Sequence, residues 1–303
     1  MRAQCRAMTV LFDLNRLDRH RRRAFAKGQT DAAFLLNRAV AELVERLAVV
    51  QRAFANAVDL ATPLPTLAEA IAATSQVERV TRFDRLIETR GEHPFAAADP
   101  EALPLGAASV DLIVSALGLQ SVNDLPGTLA QIRFALKPDG LFLAVLAGGD
   151  TLTELRQALA AAEAEITGGA TPRVAPFASV RELGALLQRA GLALPVADQD
   201  RVTVRYGDLG ALLRDLRATG FTNALAEGGK PMTRGVLAKA VEVYGDRFAD
   251  PDGRIRATFD FVWLSGWAPH ESQQKPLRPG SAETRLADAL GVSEIPTGEK
   301  AGR

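Results

Sequence analysis

The sequence predicts an α/β fold built on a doubly wound, largely parallel sheet, and three observations carry that reading. Two apolar runs, Val110 to Leu117 and Leu141 to Leu146, have the length of strands buried on both faces. Between them Asp124 opens a segment with Leu125, Leu129, Ile132 and Leu136 at helical spacing. Two buried strands joined by a crossover helix form a parallel βαβ unit, whose ligand crevice lies beyond the carboxyl ends of the strands. Those ends are Ser115 to Leu119 and Ala147 to Asp150. The same order recurs upstream, where Phe54 to Leu60 and Val77 to Asp84 read as strands flanking a helical Leu67 to Ala73.

Taken in order, residues 1–50 form a helical arm. Arg16 to Lys27 carries seven basic residues in twelve, counting His20, and reads as a solvated helix face. A second helical pattern follows at Leu36, Val40, Leu43 and Leu47. Residues 51–270 form the sheet domain. Past Asp150, Thr151 with Glu154 and Ser179 with Glu182 each fit a capping box, and each leads a helical pattern. Leu192 to Asp198 and Arg201 to Tyr206 read as two strands. Asp208 to Thr219 and Val236 to Phe248 read as helices inserted, at about 208–248, between the last two strands. Ala257 to Trp267 has strand composition, and the prolines at 269, 276 and 279 predict a loose tail over 271–303.

Composition narrows the function classes. A chain of 303 residues with 47% hydrophobic content can bury a large core. Basic and acidic residues balance at 36 each, which offers no long-range attraction to nucleic acid. The single cysteine, Cys5, rules out an internal disulfide, and His20, His93 and His270 without clustered cysteines do not read as a metal site. No apolar run approaches the ~20 residues of a membrane span, which leaves peripheral association as the open membrane contact. The expected compartment is the cytoplasm, or the mitochondrial matrix side in a eukaryote.

Three acids fall where such a sheet presents ligand-binding groups. Asp59 ends the first strand, Asp84 ends the second, and Asp99 follows the third. An acid at the second strand can accept ribose hydroxyls and one after the third an adenine amino group, a pattern that suits adenosine. Ala61 and Thr62 begin the first turn, and Ser115, Ala116 and Leu117 close the fourth strand, so these five would line the same ligand. No G-x-G-x-x-G loop follows the first strand; Ala61-Thr62-Pro63-Leu64-Pro65 stands there, and its prolines remove amide donors. A dinucleotide is therefore not expected. Gly148, Gly149 and Asp150, with Trp267 and His270, are candidates for contacting a substrate or client, although such tryptophans and histidines are more often core or rim residues.

These residues carry a resemblance. The run from Ala98 through SVDLIVSALGLQSVNDLPGTLAQIRFALKPDGLFLA is similar to motifs of class I S-adenosylmethionine-dependent methyltransferases, with Asp99 as the adenine-side acid and Lys137 to Gly140 leading the fifth strand. The segments FDLNRLDRHRRRAF, VNDLPGTLAQI, LAGGDTLTELRQAL, GRIRATFDFVWLSGW and HESQ resemble more narrowly the methyltransferase-fold assembly factors of respiratory complex I and their alphaproteobacterial relatives. The resemblance implies a Rossmann-like sheet of strand order 3-2-1-4-5-7-6, S-adenosylmethionine as cofactor, and a complex I subunit as protein client. It also implies chemistry on a client arginine, with hydroxylation attributed to the mitochondrial branch.

Two departures bear on that implication. Asp59 to Leu64 replaces a D-x-G-x-G loop, and GLQS at 118–121 replaces a stretch in which relatives carry a histidine and an aromatic residue. Both predict weakened or lost cofactor binding. Methyl transfer from a sulfonium releases a neutral thioether and needs mainly alignment, so the lack of a catalytic dyad is compatible with an enzyme. The alternatives are a catalytically silent assembly chaperone and a small-molecule methyltransferase of the biotin-synthesis type. The GRIRATFDFVWLSGW and HESQ segments weigh against the latter.

Overall fold

A computed structural model describes residues 10–28, 33–227, 231–274 and 291–292. Cys5, the 228–230 stretch of the loop before the last helix, and the prolines at 276 and 279 lie outside the described residues. Residues 1–269 form one compact unit and residues 270–303 a second.

The first unit is a seven-stranded sheet in the order β3-β2-β1-β4-β5-β7-β6. Its strands are β1 (Ala57–Leu60), β2 (Val80–Asp84), β3 (Phe95–Ala97), β4 (Val110–Ala116), β5 (Leu136–Ala147), β6 (Ala193–Tyr206) and β7 (Ile255–Trp267). β1 to β5 pair in parallel, and β7 runs antiparallel to both β5 and β6. The helices are α1 (Leu14–Ala26), α2 (Phe34–Ala48), α3 (Thr66–Ala72), α4 (Leu125–Ala135), α5 (Thr153–Thr167), α6 (Val180–Arg189), α7 (Leu209–Ala218) and α8 (Arg234–Phe248). Alternation along the strands divides the core. Leu112 and Val114 of β4 face one cluster with α2, α3, α5, α7 and α8, while Ile113 faces a second with α4 and α6. Both faces of the sheet are covered, as continuous apolar runs require.

Local chemistry explains most boundaries. Asp124 caps α4 by accepting the Gly127 amide at 2.8 Å, with Pro126 in the first turn. Ser179 and Glu182 form the expected capping box on α6. The expected box at Thr151 and Glu154 does not form. Leu152, in the left-handed region at φ 56, is the α5 N-cap and makes no side-chain cap bond, because Thr151 and Glu154 both bind β7 instead. Two other expectations are corrected. The strands expected at Leu192 to Asp198 and Arg201 to Tyr206 are one strand, β6, in which Gln199 and Asp200 stay paired with Val262 and Phe261. An edge strand with one wet face tolerates polar residues that look like a break. Lys137 to Gly140 does not precede the fifth strand but lies within it as an irregularity opposite Val110 and Leu112, with Asp139 at φ 64. Helices α7 and α8 fall between β6 and β7 in the chain.

Candidate functional site

The parallel strands open onto a cavity of about 540 Å³. Its floor includes Ala61, Asp84, Asp99 and Leu117, and its walls come from α1, α5 and α7. The N-terminal arm is tied across this opening. Asn123 Oδ1 accepts the amides of Leu11 and Phe12, each at 2.8 Å, while Asp13 donates its amide to the Ala224 carbonyl and Arg16 its guanidinium to that of Leu225. Asn123 of the NDLPG motif thus holds backbone rather than ligand.

The three candidate acids are each met by an arginine. Arg82, fully buried on β2, donates from Nε to Asp59 Oδ2 at 3.0 Å and from Nη2 to the Thr62 carbonyl at 2.7 Å. Arg21 of α1 grips Asp84 with two nitrogens, at 2.9 and 2.5 Å. Arg85 joins Asp99 and, through Nε and Nη2, Asp18 of α1. The basic arm is therefore not simply a solvated face: Arg21 is 12% exposed at its side chain and Asp84 not at all. Helical spacing alone could not show which arginine would turn inward, since the acid it meets lies 63 residues away. Arg21, Arg82 and Arg85 are the residues sequence reading missed, and the only signal was a basic helix followed by isolated strand-end acids.

Burial raises the Asp59 carboxyl to about 6 despite the Arg82 guanidinium beside it. Its Oδ1, Arg82 Nη1 and Ser115 Oγ are buried and have no hydrogen-bond partner among the described residues. Thr62 Oγ1 accepts the Ala116 amide at 3.0 Å, tying the first turn to the end of β4. Ala61 and Leu117 both take left-handed backbone, at φ 59 and 51, and a Cβ on Gly118 would strike the Ala61 carbonyl. The two turns pack against each other where a glycine loop would leave room.

The client-side candidates separate. Gly148, Gly149 and Asp150 do not line the cavity. Gly148 lies against Asp260 and Val262 of β7, and Asp150 pairs with Arg201 at the surface. Trp267 does not join them: it pairs with Leu141 at the start of the apolar run of β5, the end of the sheet opposite the crevice. His270 belongs to the second unit, where its Nδ1 lies 2.7 Å from Ser272 Oγ and its amide donates to Gln273 Oε1 at 3.2 Å. The HESQ motif is in this sense a self-bonded turn. GGDTL and the last strand explain each other. Thr151 Oγ1 donates to the Asp260 carbonyl at 3.2 Å and accepts its amide at 3.0 Å. Glu154 accepts the Thr258 amide at 3.0 Å and its hydroxyl at 2.5 Å.

The methyltransferase-domain model matches residues 19–195, more than half of the chain. This chain belongs to the methyltransferase-domain family. Among its relatives, the human protein named arginine-hydroxylase NDUFAF5, mitochondrial, is 39% identical over 204 residues, covering 67% of this chain and 59% of that one. The Danio rerio counterpart is 38% identical over 198 residues, with 65% and 62% covered. The chain thus spans about three fifths of those relatives. A malonyl-[acyl-carrier protein] O-methyltransferase of Methylovorus sp. (strain MP688) is 34% identical over 276 residues, covering 82% of this chain and 88% of that protein. The fold agrees with the YcgJ protein of Bacillus subtilis at a TM-score of 0.52 and 14% identity, over 77% of this chain and 99% of that one.

The cofactor implied for a methyltransferase domain can be tested against these residues. An adenosine would need the Asp84 carboxylate, both of whose oxygens are taken by Arg21. The methionine part would need space beside Ala61, which Gly118 occupies at close range, and amide donors that Pro63 and Pro65 lack. In this arrangement Arg21 and the packed first turn occupy contacts that S-adenosylmethionine would use.

Proposed function

We propose that this methyltransferase-domain protein engages an arginine side chain of a protein client, a subunit of respiratory complex I, and that S-adenosylmethionine binds it only weakly. The observation that supports the reading is that the acid at the end of β2 already receives a guanidinium, that of Arg21, in two-point contact. The relatives named arginine-hydroxylases agree with an arginine target. No chemical step through the cofactor follows from these contacts, and a holding role without catalysis is the limiting case of the same reading. The client surface is assigned to α1 and the inserted helices, of which α1 and α7 line the cavity.

Calorimetric titration with S-adenosylmethionine tests it. The unmodified protein should bind more weakly than micromolar. Arg21→Ala frees Asp84 and should raise affinity about tenfold, the equivalent of ~1.4 kcal/mol, whereas Asp84→Asn should remove most of what remains. Restoring glycine at Ala61 and Pro63 should strengthen binding further. Micromolar or tighter binding by the unmodified chain would overturn the weak-binding claim, and no binding even by the glycine-restored Arg21→Ala protein would favour the non-catalytic role.

A second reading rests on one observation, the 88% coverage of the malonyl-[acyl-carrier protein] O-methyltransferase relative. It predicts methyl ester formation on a malonyl carrier protein, which mass spectrometry of the carrier would detect. Our reading expects none.

A further inference from the structure

The charges that line the cavity are nearly all accounted for. Arg21 and Arg85 are paired with Asp84 and Asp99, and Arg173 is paired with Glu163. Glu101 accepts the Asn123 amide at 2.6 Å. One half-buried carboxylate is different. Asp215 on α7 lines the cavity and accepts the Tyr206 hydroxyl through Oδ2 at 2.7 Å, and no arginine, lysine or histidine among the described residues comes within salt-bridge distance of it. Burial raises its carboxyl above the usual range, with no cation nearby to oppose the shift.

A carboxylate in that position costs free energy while it stays ionised and unpaired. The Tyr206 bond fixes its orientation from the neighbouring strand β6, which leaves Oδ1 for another donor. Leu159, Leu216, Phe221 and Phe259 give the same cavity an apolar lining. The end of α7 also abuts the arm that carries Arg21, because a Cβ on Gly220 would lie 3.3 Å from Arg21 Cα. An organic cation on an apolar stem matches this combination: methylenes against the apolar wall and the charge on the acid.

We infer that Asp215, oriented by Tyr206, receives the guanidinium of the client arginine inside the cavity. The assignment rests on the arginine reading above and names the residue that would select for it. An anionic substrate such as a malonyl group would instead be repelled by Asp215 and would turn to Arg217, the exposed cation two residues further along α7.

The test is an NMR titration of the full chain with N-acetyl-arginine amide and with its citrulline counterpart, the neutral isostere. The wild type should prefer the arginine compound by at least about tenfold. Asp215→Asn should weaken arginine binding by about 10- to 100-fold and erase the preference, while Arg217→Ala leaves it intact. Tyr206→Phe keeps the charge but frees its orientation, so a loss of about two- to fivefold is expected, and this variant also serves if Asp215→Asn does not fold. If the wild type shows no preference for arginine over citrulline, the arginine reading and the assignment fall together. If the wild type prefers arginine but Asp215→Asn keeps that preference, or if Tyr206→Phe binds unchanged, the assignment alone is overturned. A lower melting temperature with the preference retained would mark Asp215 as a structural tie between α7 and β6, which also overturns it.

Discussion

The two flanks of the crevice solve the burial of acidic groups differently. On the β1–β2 flank, Asp59, Asp84 and Asp99 are balanced by Arg82, Arg21 and Arg85, so charge meets charge. On the β5–β7 flank, Glu154 accepts the Thr258 amide and hydroxyl and the Asp260 carboxylate accepts the Asp150 amide, with no salt bridge to either acid among the described residues. The first solution depends partly on α1, an element outside the sheet, and can be undone by moving it. The second is built into the turn between β5 and α5 and cannot be undone without breaking the sheet. A buried ion pair contributes little net stability but is costly to break by halves. Moving α1 would leave Asp84 buried without its Arg21 partner, whereas the second flank keeps its bonds as long as the sheet is intact.

The sharpest way to break the comparison is Arg82→Ala. It would leave Asp59 fully buried without its cation and remove the more distant contact, 4.0 Å, to Asp84. A loss of about 3–5 kcal/mol is expected in chemical denaturation. A loss below about 1 kcal/mol would show that the flank is not held by charge. On the other flank, Gly148→Ala places a Cβ against the Asp260 carboxylate and Val262, and should cost about 1–3 kcal/mol by the same measurement. An unchanged midpoint would mean that the β5–α5 turn is looser than its bonds indicate.

A third test uses pH. Because the Asp59 carboxyl is raised to about 6 in the folded protein, the native state holds this proton more tightly than the unfolded chain. Its contribution is fully present below the ordinary pKa near 4 and is lost as pH rises through about 6. Melting temperatures of wild type and Asp59→Asn should therefore converge at low pH and diverge between about pH 4 and 6, with the wild type losing ground. A constant difference would show that Arg82 keeps Asp59 ionised throughout. The smallest effect belongs to Asp150→Ala, which breaks a pair with Arg201 whose side chains are 54% and 55% exposed. A change of no more than about 0.5 kcal/mol is expected, and a larger one would give Asp150 a role that its position outside the cavity does not indicate.

Much of the fold was legible because it depends on short-range pattern. The apolar runs at 110–117 and 141–146, the helix after Asp124 and the acids at strand ends all appear in the structure at the expected places. Pattern and structure diverge where a local signal competes with a distant partner. Thr151 and Glu154 have capping-box spacing, yet their side chains bind residues more than a hundred positions away on β7. Gln199 and Asp200 look like a break in a strand, yet their backbone pairs with β7.

The candidate site divides along the same line. By itself the sequence determined which acids stand at the ends of β1 and β2 and after β3, because alternating strands and helices place them there. It also determined that the first turn is poor in amide donors, since that follows from two prolines. Only the tertiary structure decided what those acids hold. Arg21 reaches Asp84 across 63 residues, and Asp215 shares the cavity while Trp267 lies at the far end of the sheet. Residue type and spacing fix the turn of a helix and the pleat of a strand. Which charge meets which is settled by chain segments that become neighbours only when the sheet closes its order and the N-terminal arm is clamped over it.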